Sequence, residues 1–197
     1  TSGTDVSDSE ILTMMASRRI DGLVRFGAWN QRYDDCYAKA RFPLVVVDQC
    51  PRSLSAHVVK IDRSFGIQDA VEHLIVLGHK NICLLIDSHQ GGGVVNERVT
   101  GFQRALQKKG LPFDPGCIIE CSKDIEGHYA ATKAILKSKK PTAIIALNDM
   151  YCLAIKKAVE ESHLRVPDDI SLVGHDNFVF SPYVNPSLTT IDQPVTE

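Results

Sequence analysis

The sequence lacks the signatures of several large protein classes. Its 197 residues carry 22 Lys and Arg against 24 Asp and Glu, a net charge of -2, so it has no basic excess of the kind that nucleic-acid-binding modules show. No apolar run reaches the roughly 18 residues that span a membrane. Residues 1–5 have neither the basic stretch nor the hydrophobic core of a signal peptide. We therefore expect a cytoplasmic globular protein that has no membrane partner and does not itself bind DNA.

Cysteine chemistry and enzyme motifs are also missing. The six cysteines form no C-x-x-C pair and no cluster with histidines at metal-ligand spacing. Cys83 lies inside the apolar run 82–86, which favours buried free thiols in a reducing compartment over disulfides. No Walker motif, no strand followed by G-x-G-x-x-G and no Ser/His/Asp elbow is present. We expect no cofactor, no metal and no catalytic residue.

Two apolar runs that end abruptly in polar residues are the most informative feature. The run 143–147 ends at Asn148 and Asp149, and the run 170–173 is followed closely by Asp176. Short runs without alternation are typical of strands that are buried on both faces of a parallel sheet. Ligands of open α/β sheets bind beyond the carboxyl ends of such strands. The pattern predicts a polyol-binding site without catalytic groups.

Strand and helix patterns alternate along the chain, which favours a doubly wound α/β architecture. Asp62 is a good N-cap for a helix that Gly78 would end. There is no internal repeat. The expected strands are 22–26, 44–47, 81–86, 118–121, 143–146 and 170–173, and the expected helices are 8–18, 33–40, 63–77, 96–109, 126–137 and 149–162.

Five motifs follow one another over essentially the whole chain. They are Leu77-Gly78-His79, Glu97-Arg98-x-x-Gly101-Phe102, Ala146-x-Asn148-Asp149, Val166-Pro167-Asp168-Asp169-Ile170-Ser171-x-Val173-Gly174-x-Asp176-Asn177, and Pro186-Ser187-Leu188-Thr189-Thr190-Ile191. Each alone is weak, but five in this order and spacing are specific. Together they resemble the lactose/galactose repressor family of bacterial transcription regulators, in the periplasmic-binding-protein-like effector domain.

The resemblance implies the type I periplasmic-binding-protein fold, with two doubly wound parallel-sheet subdomains and the effector in the cleft between them. Residues 1–78 would form the N-terminal subdomain and 79–191 the C-terminal subdomain, with 192–197 crossing back. Family members also have a helix-turn-helix and an opening β-α unit at the start, and a last crossover with its helices at the end. Since these are missing, we expect a fragment truncated at both ends.

Three effector-binding residues are implied by the resemblance. Arg98 would clamp the effector, since a guanidinium fork suits adjacent hydroxyls or a carboxylate. Asp176 would accept hydrogen bonds from ligand hydroxyls, and Asn148 can donate and accept at once, as a vicinal diol requires. Asp149 is expected instead to cap the following helix.

Four further positions are candidates for ligand contact. Asp48 ends the strand 44–47 and could grip the ligand from the N-terminal side. Ile61 and Ser122 fall where the family places pocket-wall residues, often an aromatic. Because Ser122 is small and polar, a stacking platform on the sugar face would be absent. His175 could contact a ligand group or simply pack in the core.

The aromatic residues Phe178, Phe180 and Tyr183 lie in a loop. Because loops are normally polar, we expect other protein surface to bury this apolar patch. It could form the interface of a homodimer or pack on its own subdomain. The leading hypothesis is the core of a regulator that binds a small-molecule effector, expected to be a carbohydrate. Cleft closure would then control binding of operator DNA by the missing helix-turn-helix. The alternatives are a free sugar-binding protein of a transport system, which would need a secretory signal, and an enzyme on the same fold.

Overall fold

The computed structural model describes residues 13, 17, 21–26, 37–38, 42–48, 50, 54–88 and 93–193, with residues 93–96 described by their backbone alone. The chain divides into two compact units, Thr1–Ile61 and Asp62–Glu197. The expected helices 8–18 and 33–40 lie outside the described residues, apart from Thr13, Ser17, Tyr37 and Ala38, which are helical.

The first unit contains a three-stranded parallel sheet. Its strands are β1 (Leu23–Arg25), β2 (Leu44–Val47) and β3 (His57–Val59), with β2 in the middle. Alternate residues of β2, Leu44 and Val46, are buried against Tyr37 and Leu54. The alternation shows that one face of this strand is more deeply buried than the other.

The second unit is built on a five-stranded parallel sheet in the order β5-β4-β6-β7-β8. The strands are β4 (Ile82–Asp87), β5 (Ile118–Cys121), β6 (Ala143–Ile145), β7 (Ser171–His175) and β8 (Thr189–Ile191). The helices are α1 (Arg63–Val76), α2 (Gly93–Lys108), α3 (Ile125–Ser138) and α4 (Asp149–Glu160). The chain enters near the middle of the sheet and winds outward to both edges, as doubly wound sheets do.

Helices cover both faces of this sheet. Leu84 of β4 faces a core that includes Ile67 of α1 and Phe102 of α2. The next residue, Leu85, faces a second core with Ile135 of α3 and Ile155 of α4. Burial on both faces explains why β4 is a continuous apolar run without alternation, and this expectation from the sequence is confirmed.

The boundary between the units differs from the expected one. We expected the first subdomain to end at Gly78, but the structure divides the chain between Ile61 and Asp62. Helix α1 belongs to the second unit because Ile67 and Val71 share a core with Phe102. Residues 194–197 of the expected return crossing lie outside the described part of the chain.

Helices α1 and α2 are in close contact. A Cβ atom at Gly101 of α2 would lie 2.4 Å from the carbonyl oxygen of Ser64 in α1. Only glycine therefore fits at this point. The Gly-Phe pair of the second sequence motif thus has a packing role, with Gly101 at the helix contact and Phe102 in the core.

Five cysteines lie in the described part of the chain, and all five are free thiols. Cys83, Cys121 and Cys152 are buried, as expected, whereas Cys50 and Cys117 are half-buried. Burial raises the pKa of the Cys117 thiol to about 11 and that of Cys121 to about 12. These two thiols are protonated at neutral pH and therefore poor nucleophiles. Cys36 falls outside the described residues, and no helix among those described is long and apolar enough to cross a membrane.

Candidate functional site

The carboxyl ends of the strands in the second unit bring the expected polar residues to one edge of the sheet. Asn148 follows β6 and Asp176 directly follows β7, which is the neighbour of β6. The two side chains meet, since Asn148 Nδ2 donates to Asp176 Oδ2 at 2.8 Å. The predicted proximity of these two residues is confirmed.

Asp176 is held on both carboxylate oxygens. Its Oδ1 accepts hydrogen bonds from His175 Nδ1 at 2.6 Å and from Gln193 Nε2, while Asn148 donates to Oδ2. The backbone of Asp176 has φ of 93°, a conformation that residues other than glycine rarely adopt. Such strain persists only where surrounding contacts hold it, and it concentrates at functional positions.

The charge of Asp176 is also controlled. Burial would raise the pKa of this carboxyl, but the hydrogen bond and charge of His175, the hydrogen bond of Gln193 and the charge of Arg98 outweigh burial and lower it. Asp176 is therefore an anion at neutral pH. Arg98, half-buried in α2, is close enough to contribute to this effect. Asn148 thus contacts Asp176 directly, and the ligand role of Arg98 stays a prediction.

The N-cap of α4 differs from the expected one. We predicted that Asp149 caps α4, but Asn148 is the N-cap, and its Oδ1 accepts a hydrogen bond from the Met150 amide at 2.8 Å. The Asn148 oxygen caps the helix and one of its two N–H groups binds Asp176, which leaves the second N–H group as a donor. The prediction for Asp149 was wrong because both residue types are good caps and they stand side by side.

Asp149 is instead a buried anchor. Its carboxylate is fully buried and accepts from the Phe178 amide at 2.8 Å, Ser181 Oγ at 2.7 Å and Thr190 Oγ1 at 2.6 Å. A Cβ atom at Gly174 would lie 2.1 Å from Asp149 Oδ1, so β7 has to present a glycine here. Asp149 therefore attaches the segment after β7, and β8 itself, to the start of α4.

The ligand roles expected of His175 and Ser122 stay predictions. His175 is only 2 % exposed, and its ring nitrogen hydrogen-bonds the Asp176 carboxylate from the buried side. Ser122 follows β5, which β4 and β6 separate from β7. Its hydroxyl donates to Asp124 Oδ1 at 3.2 Å. The structure thus brings Ser122 into no contact with Asp176.

Asp48 and Ile61 belong to the first unit. Asp48 directly follows β2 with φ of 87°, nearly the backbone conformation of Asp176 after β7. Its backbone amide donates to the Val59 carbonyl at 2.8 Å. Ile61 is half-buried and is the last residue of this unit. The ligand roles of both residues stay predictions.

The aromatic loop after β7 is partly packed on itself. Phe178 and Phe180 are half-buried and meet edge to face, with 5.7 Å between ring centroids. Tyr183 is 83 % exposed and Val179 is 88 % exposed. The expected dimer contact therefore stays a prediction, with Tyr183 rather than the two phenylalanines presenting apolar surface.

A second group of polar side chains lies at the same edge of the sheet, and the sequence analysis missed it. Asp87 ends β4, and Cys121 is its register partner on β5. The fully buried His128 ring of α3 stacks on Tyr151 of α4, with 3.6 Å between centroids and 13° between planes. Asp87 could have been identified from the sequence, because it ends an apolar run as Asp48 does. Gln193, which binds Asp176, stands two residues beyond the Thr-Thr-Ile motif.

The tautomer of His128 follows from its hydrogen bond. Its Nδ1 lies 2.8 Å from the Asp124 carbonyl oxygen, which can only accept, so Nδ1 carries the proton. Burial lowers the pKa of His128, although Asp124 and Asp87 act in the opposite direction. In the neutral ring Nε2 is therefore an acceptor. No group of three or more metal-ligand side chains is found in the part of the chain that the structure describes.

Comparison with known proteins identifies the fold. A family model described as the periplasmic binding protein-like domain matches residues 71–197. The chain belongs to this family. The type I fold class expected from the sequence is thereby confirmed, with parallel-sheet α/β units as in other periplasmic binding protein-like domains.

Relatives of this periplasmic binding protein-like domain are transcription regulators. The chain is 35% identical over 200 residues to the HTH-type transcriptional repressor PurR of Photobacterium profundum, covering 98% of the chain and 59% of that relative. The chain thus spans somewhat more than half of that regulator. The resemblance to the lactose/galactose repressor family is confirmed by such relatives.

The solved structures that resemble this chain are also those of transcription regulators. A LacI-family regulatory protein from Chloroflexus aggregans superposes with a TM-score of 0.87 at 29% identity, covering 98% of this chain and 70% of that one. A LacI-family regulator from Enterococcus faecium with bound ribose has a TM-score of 0.78 at 28% identity, with 98% and 72% coverage. Both of these similar proteins are LacI-family regulators.

The anchoring role of Asp149 predicts a large loss of stability when its charge is removed. Asp149→Asn keeps the shape but replaces an acceptor with a donor that faces other donors. We expect the free energy of unfolding to fall by about 3 kcal/mol, because a buried network loses its acceptor. Urea unfolding followed by circular dichroism measures this change. The exposed Asp168→Asn is the matched control, and equal stability of the two variants would contradict the anchor.

The partly buried His79 and the buried His128 predict a loss of stability in mild acid. Burial lowers the pKa of both His79 and His128 below the value of about 6.5 in unfolded chains. Their contribution to stability is therefore full above about pH 6.5 and is lost as the pH falls through the lowered values. We expect the free energy of unfolding to decrease between about pH 7 and pH 5. His128→Phe should flatten this dependence, whereas the exposed His57→Asn should not; identical pH profiles for wild type and His128→Phe would refute the assignment.

Proposed function

We propose that this chain is the effector-binding part of a bacterial transcription regulator and that the carboxyl edge of its five-stranded sheet binds a sugar. The observation that carries the proposal is the Asp176 carboxylate. It is ionised, strained at φ of 93°, and fixed by three side chains at a strand end where ligands of such sheets bind.

The chemistry of this edge suits a polyhydroxylated ligand. Sugar hydroxyls donate to a carboxylate and accept from guanidinium and amide N–H groups. Asp176 supplies the acceptor, and Arg98 and Asn148 supply donors. Because His175 and Gln193 fix Asp176 before a ligand arrives, little side-chain freedom is lost on binding. Ribose bound to the related regulator from Enterococcus faecium supports a sugar as the ligand class.

In the whole protein, we propose that the effector acts by favouring one conformation over another. Operator DNA would be bound by a helix-turn-helix outside this chain, as the relatives named HTH-type suggest. Tyr183 and the loop around it are the proposed contact of a cytoplasmic homodimer. The transport-protein alternative is less favoured, because the similar proteins are transcription regulators.

Substitution of the two charged residues tests the site. Asp176→Asn suits the left-handed backbone, which asparagine tolerates, but loses the anionic acceptor. Arg98→Ala removes the donor fork. We expect each variant to bind sugar at least about tenfold more weakly, the effect of losing a charge-assisted hydrogen bond.

The measurement is isothermal titration calorimetry with D-ribose, D-glucose and cellobiose, and thermal unfolding verifies that each variant is folded. The exposed Asp168→Asn is the control and should bind as wild type does. Wild-type affinity in either Asp176→Asn or Arg98→Ala would remove that residue from the site. Absence of binding of all three sugars to the wild-type chain would overturn the sugar as ligand class.

A further inference from the structure

Two buried acceptor atoms at the same edge of the sheet have no hydrogen-bond partner among the described residues. They are Asp87 Oδ1, at the end of β4, and His128 Nε2, in the first turns of α3. A buried acceptor without a donor is destabilising, since it has lost its bonds to water and gained none. Native proteins keep few such atoms, so each one needs an explanation.

Both atoms require the same kind of partner. His128 Nε2 is a bare acceptor in the neutral ring, because Nδ1 carries the proton that binds Asp124. A carboxylate oxygen is likewise an acceptor. The two acceptors cannot satisfy one another. Asp87 is the register partner of Cys121 on β5, and His128 lies in the first turns of the helix that follows β5. The charge of Asp87 also acts on His128, so both acceptors belong to the same part of the sheet edge. A molecule that presents two donors would satisfy both.

The two buried acceptors lie beside groups that are partly exposed. Asp87 and Tyr151 are only half-buried, and the Tyr151 ring stacks on His128, which forms an apolar wall beside the two acceptors. Strand β4 is the direct neighbour of β6, which leads to Asn148. The Asp87 acceptor therefore lies at the same carboxyl edge as Asp176, two strands along the sheet from β7.

We propose that Asp87 and His128 form a second subsite of the effector site, which accepts hydrogen bonds from two neighbouring hydroxyls of a sugar. This inference rests on the proposed function, because it concerns the same ligand. The subsite differs in character from the first one. Arg98 and Asn148 offer donors around Asp176, whereas Asp87 and His128 offer acceptors alone, so this end of the site selects for ligand O–H or N–H groups.

Two variants close the subsite in different ways. In Asp87→Asn the new amide can donate to His128 Nε2, which satisfies the acceptor within the protein. In His128→Phe the ring can still stack on Tyr151 but the acceptor is gone, together with the Nδ1 hydrogen bond to the Asp124 carbonyl. We expect each variant to bind D-ribose or D-glucose about tenfold more weakly. The double variant should lose less than the product of the two effects, since both residues contact the same pair of hydroxyls.

Stability without ligand is a second readout. Asp87→Asn decides this readout, because His128→Phe also loses the hydrogen bond to the Asp124 carbonyl. If the acceptors are unmet in the free protein, Asp87→Asn should leave the Tm unchanged or raise it by about 2–4 °C. A lower Tm of Asp87→Asn would overturn the subsite, because it would show that a bound water already satisfies the acceptors. Thr132→Val, a buried change one turn along α3, is the matched control and should keep wild-type sugar affinity.

The outcomes separate this inference from the proposed function. If Asp176→Asn loses binding while Asp87→Asn and His128→Phe keep wild-type affinity, the subsite is wrong and the proposed function stands. If D-ribose, D-glucose and cellobiose all fail to bind the wild-type chain, the sugar site and its subsite are both wrong. Weaker binding in all of the site variants, with the Thr132→Val control unchanged, supports both.

Discussion

A buried carboxylate at the start of α4 determines how the candidate site is assembled. Asp149 accepts hydrogen bonds from Phe178, Ser181 and Thr190, and so attaches the segment beyond β7 and the edge strand β8 to the helix. Gln193, two residues after β8, can then reach Asp176. Since Asn148 precedes Asp149, the same helix start also positions the amide that binds Asp176. The strained backbone of Asp176 depends on this assembly.

The ligand preference of the sheet edge depends on which donor and acceptor atoms are not already used within the protein. Asn148 uses its oxygen to cap α4 and its nitrogen to bind Asp176, so it is part of a rigid frame. The second group, at Asp87 and His128, contains acceptors that are buried without donors. A site that fixes one carboxylate and leaves two acceptors unmet favours a ligand rich in hydroxyls.

Most of the second unit could be predicted from the sequence. Apolar runs without alternation located β4, β6 and β7, and the rule that parallel strands end at one edge placed Asn148 beside Asp176. The edge strand β8 was missed, since it has only three residues, with none fully buried. The role of Asp149 depends on donors 29 to 41 residues away in sequence, which local patterns do not report. The amphipathic pattern of α1 shows which face is buried, but not against which sheet.

The central claim is that ligand binds at the carboxyl edge of the five-stranded sheet. The most direct measurement is a ¹H–¹⁵N correlation spectrum of the chain during titration with D-ribose and with D-glucose. The amide signals of Asn148, Asp176 and Asn177 should shift if a sugar binds at this edge. Signals of His79, Asn81 and Thr142, at the opposite edge, should stay in place. Shifts confined to that opposite edge, or a spectrum that neither sugar changes, would contradict the account.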